Sequence, residues 1–423
     1  MVDDPDAADG QCQTVGPATR SKSGINPRIV IMTTSPKSLR HFFQAQIRFL
    51  VSEGFDVHTI SSPGAELDEC RRNASVPMHE IAMLRRISPF ADLVALLRLS
   101  WRLRRLRPDI VHAHTPKAGL LGMIAARMAR VPIRIYTING LRFSTCSGLR
   151  RAVLAGADKL SCSLATDVLC VSDSLRQEVV ALGVCPAFKA RTLGHGASHG
   201  VDTSTFDPDR RNSEDRRRIR SHYGLPQDAI VLSYIGRIVH DKGIVELSAA
   251  WRVLREEVPN LWLFLCGTPE SEDPVSPEVL RTFRADPRVS FTGETVGDMP
   301  AVYAASDVCV LPSYREGLPN VALESQAMRL PIVATRITGT IDAIRDGVTG
   351  FLVEPRDPAA LVAALKVLIQ DGPLRFRMGV AGREFVSQHF LEHRVSELLA
   401  GDYRRLLAIG CALPCQQNAQ EDC

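Results

Sequence analysis

SYREGLPNVALESQAMRLPIVATRITGTIDAIRDGVTGFLVE, residues Ser313–Glu354, is the stretch from which this chain is best read. Two carboxylates, Glu316 and Glu324, stand with seven residues between them; Gly317-Leu318-Pro319-Asn320 forms a turn and a helix begins near Val321. One carboxylate then lies in a loop and the other about a turn into the helix, so both border one pocket. The helix N-terminus beside them offers unpaired backbone N–H groups to a phosphate. Two glutamates at this spacing are also common as plain surface charge, so the surrounding sequence has to decide. Val308–Leu311 before the stretch, and Ile332–Ala334 and Phe351–Val353 within it, are short apolar runs of strand type, with helical Leu323–Met328 between them. Strand and helix in alternation predict a parallel sheet covered by helices.

The same alternation continues outward. Ile230–Ile235, Trp262–Cys266 and Val289–Phe291 read as further strands, with a helix over Val245–Glu257. An earlier series has strands at Ile29–Met32, Val57–Ile60, Ile110–Ala113, Ile133–Thr137 and Val168–Val171. Helices between these are expected at His41–Glu53, Asp92–Leu106, Gly119–Met128 and Leu175–Leu182. The series are separated by LGHGASHGVDTSTFDP (Leu193–Pro208), a Gly- and turn-rich break, and by the charged stretch Asp209–Arg220, which suits an interdomain connection. The fold class is therefore α/β, with Rossmann-like units over 25–205 and 206–384 and a ligand cleft at the carboxyl ends of both sheets. Helical spacing of Phe390, Val395, Leu398, Leu399, Tyr403 and Leu406 predicts one more helix over 385–408.

Composition agrees with this division. A chain of 423 residues exceeds the roughly 250–300 that one core serves, and 45% hydrophobic with 23% charged residues is a globular balance. Residues 1–24 are acidic and polar, without the basic start and apolar stretch of a secretory signal, and read as a disordered tail; 409–423 reads as a flexible one. No apolar run approaches the ~18–20 residues needed to cross a bilayer, so the expectation is a soluble or peripheral protein. Eleven scattered cysteines without metal-ligand spacing read as reduced, mostly buried thiols in a cytoplasm. Charge is uneven: residues 25–202 hold 24 Lys+Arg against 13 Asp+Glu, and residues 203–423 hold 25 against 30. A basic N-terminal half suits anionic lipid or a phosphorylated ligand. No nucleic-acid motif or run of stacking aromatics accompanies it, which ranks nucleic acid below these.

Three further segments carry candidate chemistry. In Tyr234–Gly243, YIGRIVHDKG, Gly236 allows close backbone approach, and Arg237 and Lys242 present two cations suited to a diphosphate. The alternative is a solvated loop with two basic residues. His112 and His114 share a strand face, and His114, at or past the strand's carboxyl end, is the better functional candidate, with Lys117 next after it; packing or capping is the alternative. In LVALLRLSWRLRRLR (Leu93–Arg107), Arg98, Arg102 and Arg105 share a helix face beside Trp101, which reads as attachment to an anionic membrane surface or as a packed helix with a solvated face. Arg150 and Arg151, in Gly148–Cys162, add charge to the same domain.

EGLPNVALESQAMRLPIVAT resembles the E-x7-E signature of the large retaining GT-B glycosyltransferase family (family 4 type). VHAHTPKAGLLGMIAARMARVPIRIYTINGLRF and LGHGASHGVDTSTFDP are similar to its capsular-polysaccharide and lipopolysaccharide members, and the likeness runs from about Arg28 to Leu407. The resemblance implies two Rossmann-like domains facing across a cleft, with the C-terminal helix crossing back to the first. It implies retaining transfer from a nucleotide-sugar donor, a UDP-hexose or UDP-N-acetylhexosamine, to a polyprenyl-diphosphate-linked saccharide in surface polysaccharide assembly. No metal or other cofactor is implied, and the place is the cytoplasm, at the inner face of the membrane. Residue by residue, Glu324 would bind the ribose hydroxyls and Glu316 face the donor sugar. Arg237 and Lys242 would hold the diphosphate near Gly236. Asn320, Val321 and Leu323 would lie beside phosphates and ribose, partly through backbone groups. Retention would follow a front-face course, in which the departing diphosphate helps deprotonate the incoming hydroxyl.

The chain departs from the family at Tyr136-Thr137-Ile138-Asn139-Gly140, where Asn139 replaces a histidine that contacts the donor sugar. An amide hydrogen-bonds a hydroxyl but neither takes a proton nor carries charge. Asn139 motivates a second reading, a catalytically weak donor-binding partner; a GT-B nucleotide-sugar epimerase is a third, opposed by the E-x7-E stretch. The first β–α loop, TTSPKSLR (Thr33–Arg40), lacks the Gly-Gly of many members, and Asp207-Pro208-Asp209, formally D-x-D, suits a turn better than a cation site.

Overall fold

The computed structural model describes residues 26–412, apart from 74–75, 85, 198, 211–212, 272 and 294–296. The tail expected over 1–24 lies outside these residues, as does the one over 409–423 beyond 412. The N-terminal sheet contains β1 Arg28–Met32, β2 Asp56–Ser61, β3 Met78–Glu80, β4 Ile110–His114, β5 Ile133–Ile138, β6 Asp167–Cys170 and β7 Ala190–Arg191, in the order β3-β2-β1-β4-β5-β6-β7. The C-terminal sheet contains β8 Ile230–Ile235, β9 Leu261–Cys266, β10 Val289–Phe291, β11 Val308–Leu311, β12 Ile332–Thr335 and β13 Gly350–Val353, in the order β10-β9-β8-β11-β12-β13. Every pairing is parallel, for example Ile29 with Ile110 and Val308 with Leu232. Parallel strands are covered on both faces, which is why IVIM of β1 (Ile29–Met32) and VCVL of β11 are apolar without alternation. In each sheet the strand order reverses next to the first strand, between β1 and β4 and between β8 and β11. The carboxyl ends of these strands flank the crevice where such sheets bind ligands.

Helix starts follow local chemistry. Pro89–Leu106 opens with proline at its first position and stops at Arg107, left-handed at φ 47 and followed by Pro108. The loop after β1 leads into Pro36–Ser38, a π-helical turn Leu39–Phe43 and the helix Gln44–Ser52.

Two expectations need correction. The single helix over 385–408 is two, Gly372–His389 and Glu392–Ala412, the second running through residues 409–412 as well. Apolar spacing continues across the break, but the backbone there serves the interdomain connection: Val201 N–H donates to the Phe390 carbonyl at 2.7 Å and Glu392 N–H to the Val201 carbonyl at 3.0 Å. Gly200 (φ 72) permits this approach, since an added Cβ would meet the Phe390 oxygen at 2.7 Å. The helix Glu392–Ala412 then crosses onto the first domain, where Asp402 takes the Arg191 guanidinium at 2.9 and 3.1 Å. The second correction concerns Asp209–Arg220, which is not all connection. Ser213–His222 is a helix of the second domain, and Arg220 is fully buried, 2.8 Å from Asp307 and donating to the carbonyls of Ala305 and Ala229. All seven cysteines whose side chains are described are free, six of them buried.

Candidate active site

The C-terminal half of the site grows from β8 and β11. After β8 the chain passes Gly236 (φ 151), whose N–H donates to the Cys266 carbonyl at 2.9 Å, and enters the tight turn His240–Lys242. Gly243, at φ 69, follows; an added Cβ would overlap the Pro312 carbonyl, so glycine alone lets this turn seat against the end of β11. The seating brings Lys242 Nζ to 2.5 Å from Glu316 Oε1, with both side chains largely shielded from water. Arg315, on the same loop, lies 2.6 Å from Asp241, and Tyr314 N–H donates to the Asp241 carbonyl at 2.8 Å, so the two loops are joined on either side of the Lys242–Glu316 pair. Arg237, half exposed, pairs with Glu270 at 2.9 Å.

Glu324 stands on the helix Asn320–Ala327, which Pro319 introduces. Its Oε2 accepts the Tyr303 hydroxyl at 2.7 Å, and Tyr303 is wholly buried on Met299–Ala304. Burial pushes the Glu324 carboxyl up to about 7, with the Tyr303 bond pulling the other way. Leu323 is fully buried and Val321 partly so; what Leu323 can offer a ligand is therefore its backbone.

The N-terminal domain reaches this place through Asn139 and Gly140, directly after β5. The fit is backbone to backbone: an added Cβ at Gly317 would overlap the Asn139 carbonyl, and one at Gly140 would stand 3.5 Å from Gly317 N and 3.7 Å from a guanidinium nitrogen of Arg315. The Asn139 side chain is exposed here. The structure thus gathers Lys242, Glu316 and Asn139 around one contact between domains.

His114 ends β4, with its ring between Phe43 at 4.4 Å and His112 at 4.1 Å, only 2% exposed. Neither ring nitrogen has a hydrogen-bond partner among the described residues, and burial with His112 and His199 nearby holds the imidazole well below the usual histidine range, hence neutral. His112 bonds the Tyr403 hydroxyl and Thr137 Oγ1, each at 2.6 Å. The Lys117 ammonium is engaged within its own domain. Both Asp92 oxygens hold it at 2.6 and 2.7 Å and the Arg86 carbonyl at 2.9 Å, which ties the starts of two helices together. On Pro89–Leu106, Trp101 is half exposed under Arg105, 4.1 Å from its ring centre, with Arg102 at 5.4 Å; Arg98 is exposed. Asp207 and Asp209 pair with Arg383 at 3.3 Å and Arg329 at 2.6 Å. Tyr303, Asp241 and Arg315 had no signal in the sequence, because each is defined by a partner on another element.

Known proteins carry the same two halves. Residues 39–196 match the family described as "Glycosyl transferase 4-like domain", and residues 215–385 match "Glycosyl transferases group 1". The capsular polysaccharide biosynthesis glycosyltransferase CapM of Staphylococcus aureus is 35% identical over 90% of this chain and 98% of its own. The chain belongs to the group 1 glycosyltransferases. A UDP-Gal:alpha-D-GlcNAc-diphosphoundecaprenol alpha-1,3-galactosyltransferase of Escherichia coli is 26% identical over 84% of this chain and 90% of its own. Among solved structures, Anabaena Alr3699/HepE in complex with UDP-glucose superposes with a TM-score of 0.74 at 19% identity, over 89% of this chain and 99% of its own. The GT-B architecture of this glycosyltransferase is that of these neighbours.

Proposed function

We propose that this glycosyltransferase moves a hexose or N-acetylhexosamine, with retention, from UDP to a polyprenyl-diphosphate-linked saccharide in surface polysaccharide assembly, at the cytoplasmic face of an anionic membrane. The observation that carries the reading is the convergence of Lys242, Glu316 and the Asn139–Gly140 backbone on one interdomain contact, with Glu324 on the helix that follows it. The names of the S. aureus and E. coli relatives support the pathway and the lipid-linked acceptor. The UDP-glucose complex of the Anabaena neighbour supports the donor class.

Lys242 is neutralised by Glu316 before any ligand arrives. A diphosphate offers that ammonium a denser negative charge, and an exchange of partners frees Glu316 to accept hydroxyls of the donor sugar. Arg237 exchanges Glu270 for the diphosphate in the same way. Both cations then stabilise the charge that develops as the sugar departs. The departing diphosphate takes the proton of the incoming hydroxyl on the same face, which retains the anomeric configuration. Glu324, when ionised, accepts from both ribose hydroxyls, and Asn139 hydrogen-bonds the sugar without taking a proton.

For the acceptor, an open groove of about 310 Å³ lies at the carboxyl ends of β1, β2 and β3, lined by residues 34–36, 62–63 and 82–84. Next in the chain come the exposed Ile87 and Phe90, then Leu93, Leu97 and Trp101 along one stripe of Pro89–Leu106, flanked by Arg98 and Arg105. A second exposed stripe, Leu149, Val153 and Leu160, runs along Gly148–Leu164 beside Arg150 and Arg151, with Pro116–Met128 between the two helices. Apolar residues ringed by arginine suit shallow insertion into an anionic surface. Among the described residues no helix is long and apolar enough to cross a membrane.

The test is transfer by purified protein across a panel of UDP- and GDP-sugars with membrane lipid extract as acceptor, and with Glu316→Ala and Glu324→Ala beside the wild type. Product with one UDP-sugar, lost in both variants, is expected. Donor binding without product from any sugar would sink the transferase reading and favour the weak-partner one.

A further inference from the structure

Between the domains lies a second set of contacts, beyond the Gly317–Asn139 approach. The helix Asp173–Ala181 of the first domain starts at Ser172, whose Oγ accepts Leu175 N–H at 3.3 Å in the usual way of an N-cap and also donates to the Gly317 carbonyl at 2.7 Å. The remaining unpaired donors of that helix start do not go to water. Asp173 N–H and Ser174 N–H donate to Asp342 Oδ1 at 3.2 and 3.1 Å, and the Ser174 hydroxyl donates to Asp342 Oδ2. Asp342 belongs to the other domain, on Thr340–Ala343. Ser174 Oγ in turn accepts Gly339 N–H at 2.8 Å. A helix of one domain is thus capped by a carboxylate of the other, where the helix dipole favours negative charge.

These contacts close on the Glu316 loop. Gly317 lies between Asn139 and Gly339; an added Cβ at Gly339 would overlap the Gly317 carbonyl, and one at Gly317 the Asn139 carbonyl. The stack leaves no slack, so the depth at which Asp342 and Ser174 hold the domains together also sets where Glu316 stands relative to Asn139. None of Ser172, Ser174 and Asp342 is paired with Lys242, Glu316 or Glu324.

We propose that Asp342, with Ser172 and Ser174, is a positioning group for sugar transfer: it latches the domains in the closed arrangement, in which Glu316 and Asn139 face the same donor sugar and water is excluded. The proposal rests on the donor reading given above. Because the latch acts on closure rather than on the nucleotide, it separates kcat from donor affinity.

The experiment compares wild type, Asp342→Asn, Asp342→Glu and Ser174→Ala. Asp342→Asn is expected to lower kcat for transfer about tenfold and to raise the share of donor lost to water. UDP affinity should change less than about twofold, and Asp342→Glu should recover part of the loss. Small-angle scattering with UDP should show a larger radius of gyration for Asp342→Asn and Ser174→Ala than for wild type. If both folded variants keep wild-type kcat, hydrolysis share and radius, the latch is overturned; a loss of UDP affinity parallel to kcat overturns it too, since that marks a donor contact. Failure of the donor reading looks different: wild type would then process no donor, while the variants would still differ from it in radius.

Discussion

Removing a single hydroxyl, in Tyr303→Phe, tests the assignment of Glu324 to the ribose of the donor. Burial has already pushed the Glu324 carboxyl up to about 7, and the Tyr303 hydroxyl, 2.7 Å away, favours its ionised form. A hydrogen bond to a charged group contributes about 1.5–3 kcal/mol and one pKa unit corresponds to about 1.36 kcal/mol, so losing the hydroxyl should raise the carboxyl by roughly one to two units. If it moves from about 7 to about 8.5, the ionised fraction at about pH 7.5 falls from roughly three-quarters to roughly one-tenth. Only the ionised carboxylate accepts from both ribose hydroxyls, so the UDP dissociation constant should rise about eightfold at that pH and return to the wild-type value near about pH 10. The sign holds for wild type as well: its UDP affinity should fall as pH drops through about 7, where Glu324 takes up a proton. Titration calorimetry with UDP across this range measures the effect without any acceptor. Superimposable profiles for the two proteins, or a variant weaker by one constant factor at every pH, would refute the assignment.

Lys242→Gln should lower kcat by about 10²–10³ through loss of a cation aimed at the departing diphosphate, measured as initial transfer rate; an effect under about threefold would remove Lys242 from that role. Arg220→Met should destabilise the protein by about 3 kcal/mol, the low end for breaking a buried ion pair, because Arg216 at 2.7 Å still serves Asp307. Urea unfolding reads this, and a change within about 0.5 kcal/mol would mean that the pair is replaced without cost. Phe90→Glu and Leu149→Glu, at side chains 81% and 80% exposed, should leave stability unchanged and reduce sedimentation with phosphatidylglycerol vesicles at least tenfold. A vesicle affinity that follows salt alone, with both variants equal to wild type, would assign binding to the arginines and not to the apolar stripes.

How much of this was legible in sequence depends on how far away each residue's partner lies. Strands such as Ile230–Ile235 and Val308–Leu311 were readable to the residue because a parallel strand covered on both faces is apolar along nearly its whole length, a property the segment carries by itself. The short edge strands Met78–Glu80 and Ala190–Arg191 are too brief to show any period. Glu316 and Glu324 were legible as a pair because turn and helix start lie between them in the chain. Their partners were not: Tyr303 meets Glu324 from a separate helix, and Lys242 meets Glu316 from the end of another strand. Arg220 was hidden for the opposite reason, since a run of charge reads as surface although one guanidinium in it is enclosed by carbonyl oxygens and Asp307.

The same distinction bears on how the site works. Each ionisable group assigned to the donor has a protein partner: Glu270 for Arg237, Glu316 for Lys242, and the Tyr303 hydroxyl for Glu324. A shielded ammonium or carboxylate without such a partner would shift its pKa until it lost its charge. At Lys242 the partner is a carboxylate, so Glu316 balances the ammonium in a largely enclosed position. If the donor binds as proposed, its binding is an exchange of bonds at the largely shielded Lys242–Glu316 pair, and its selectivity then rests on whether a ligand can replace both partners of that pair at once. On that proposal a nucleotide diphosphate alone would replace only one of them, whereas a nucleotide-sugar, with its phosphates toward Lys242 and its hydroxyls toward Glu316, would replace both.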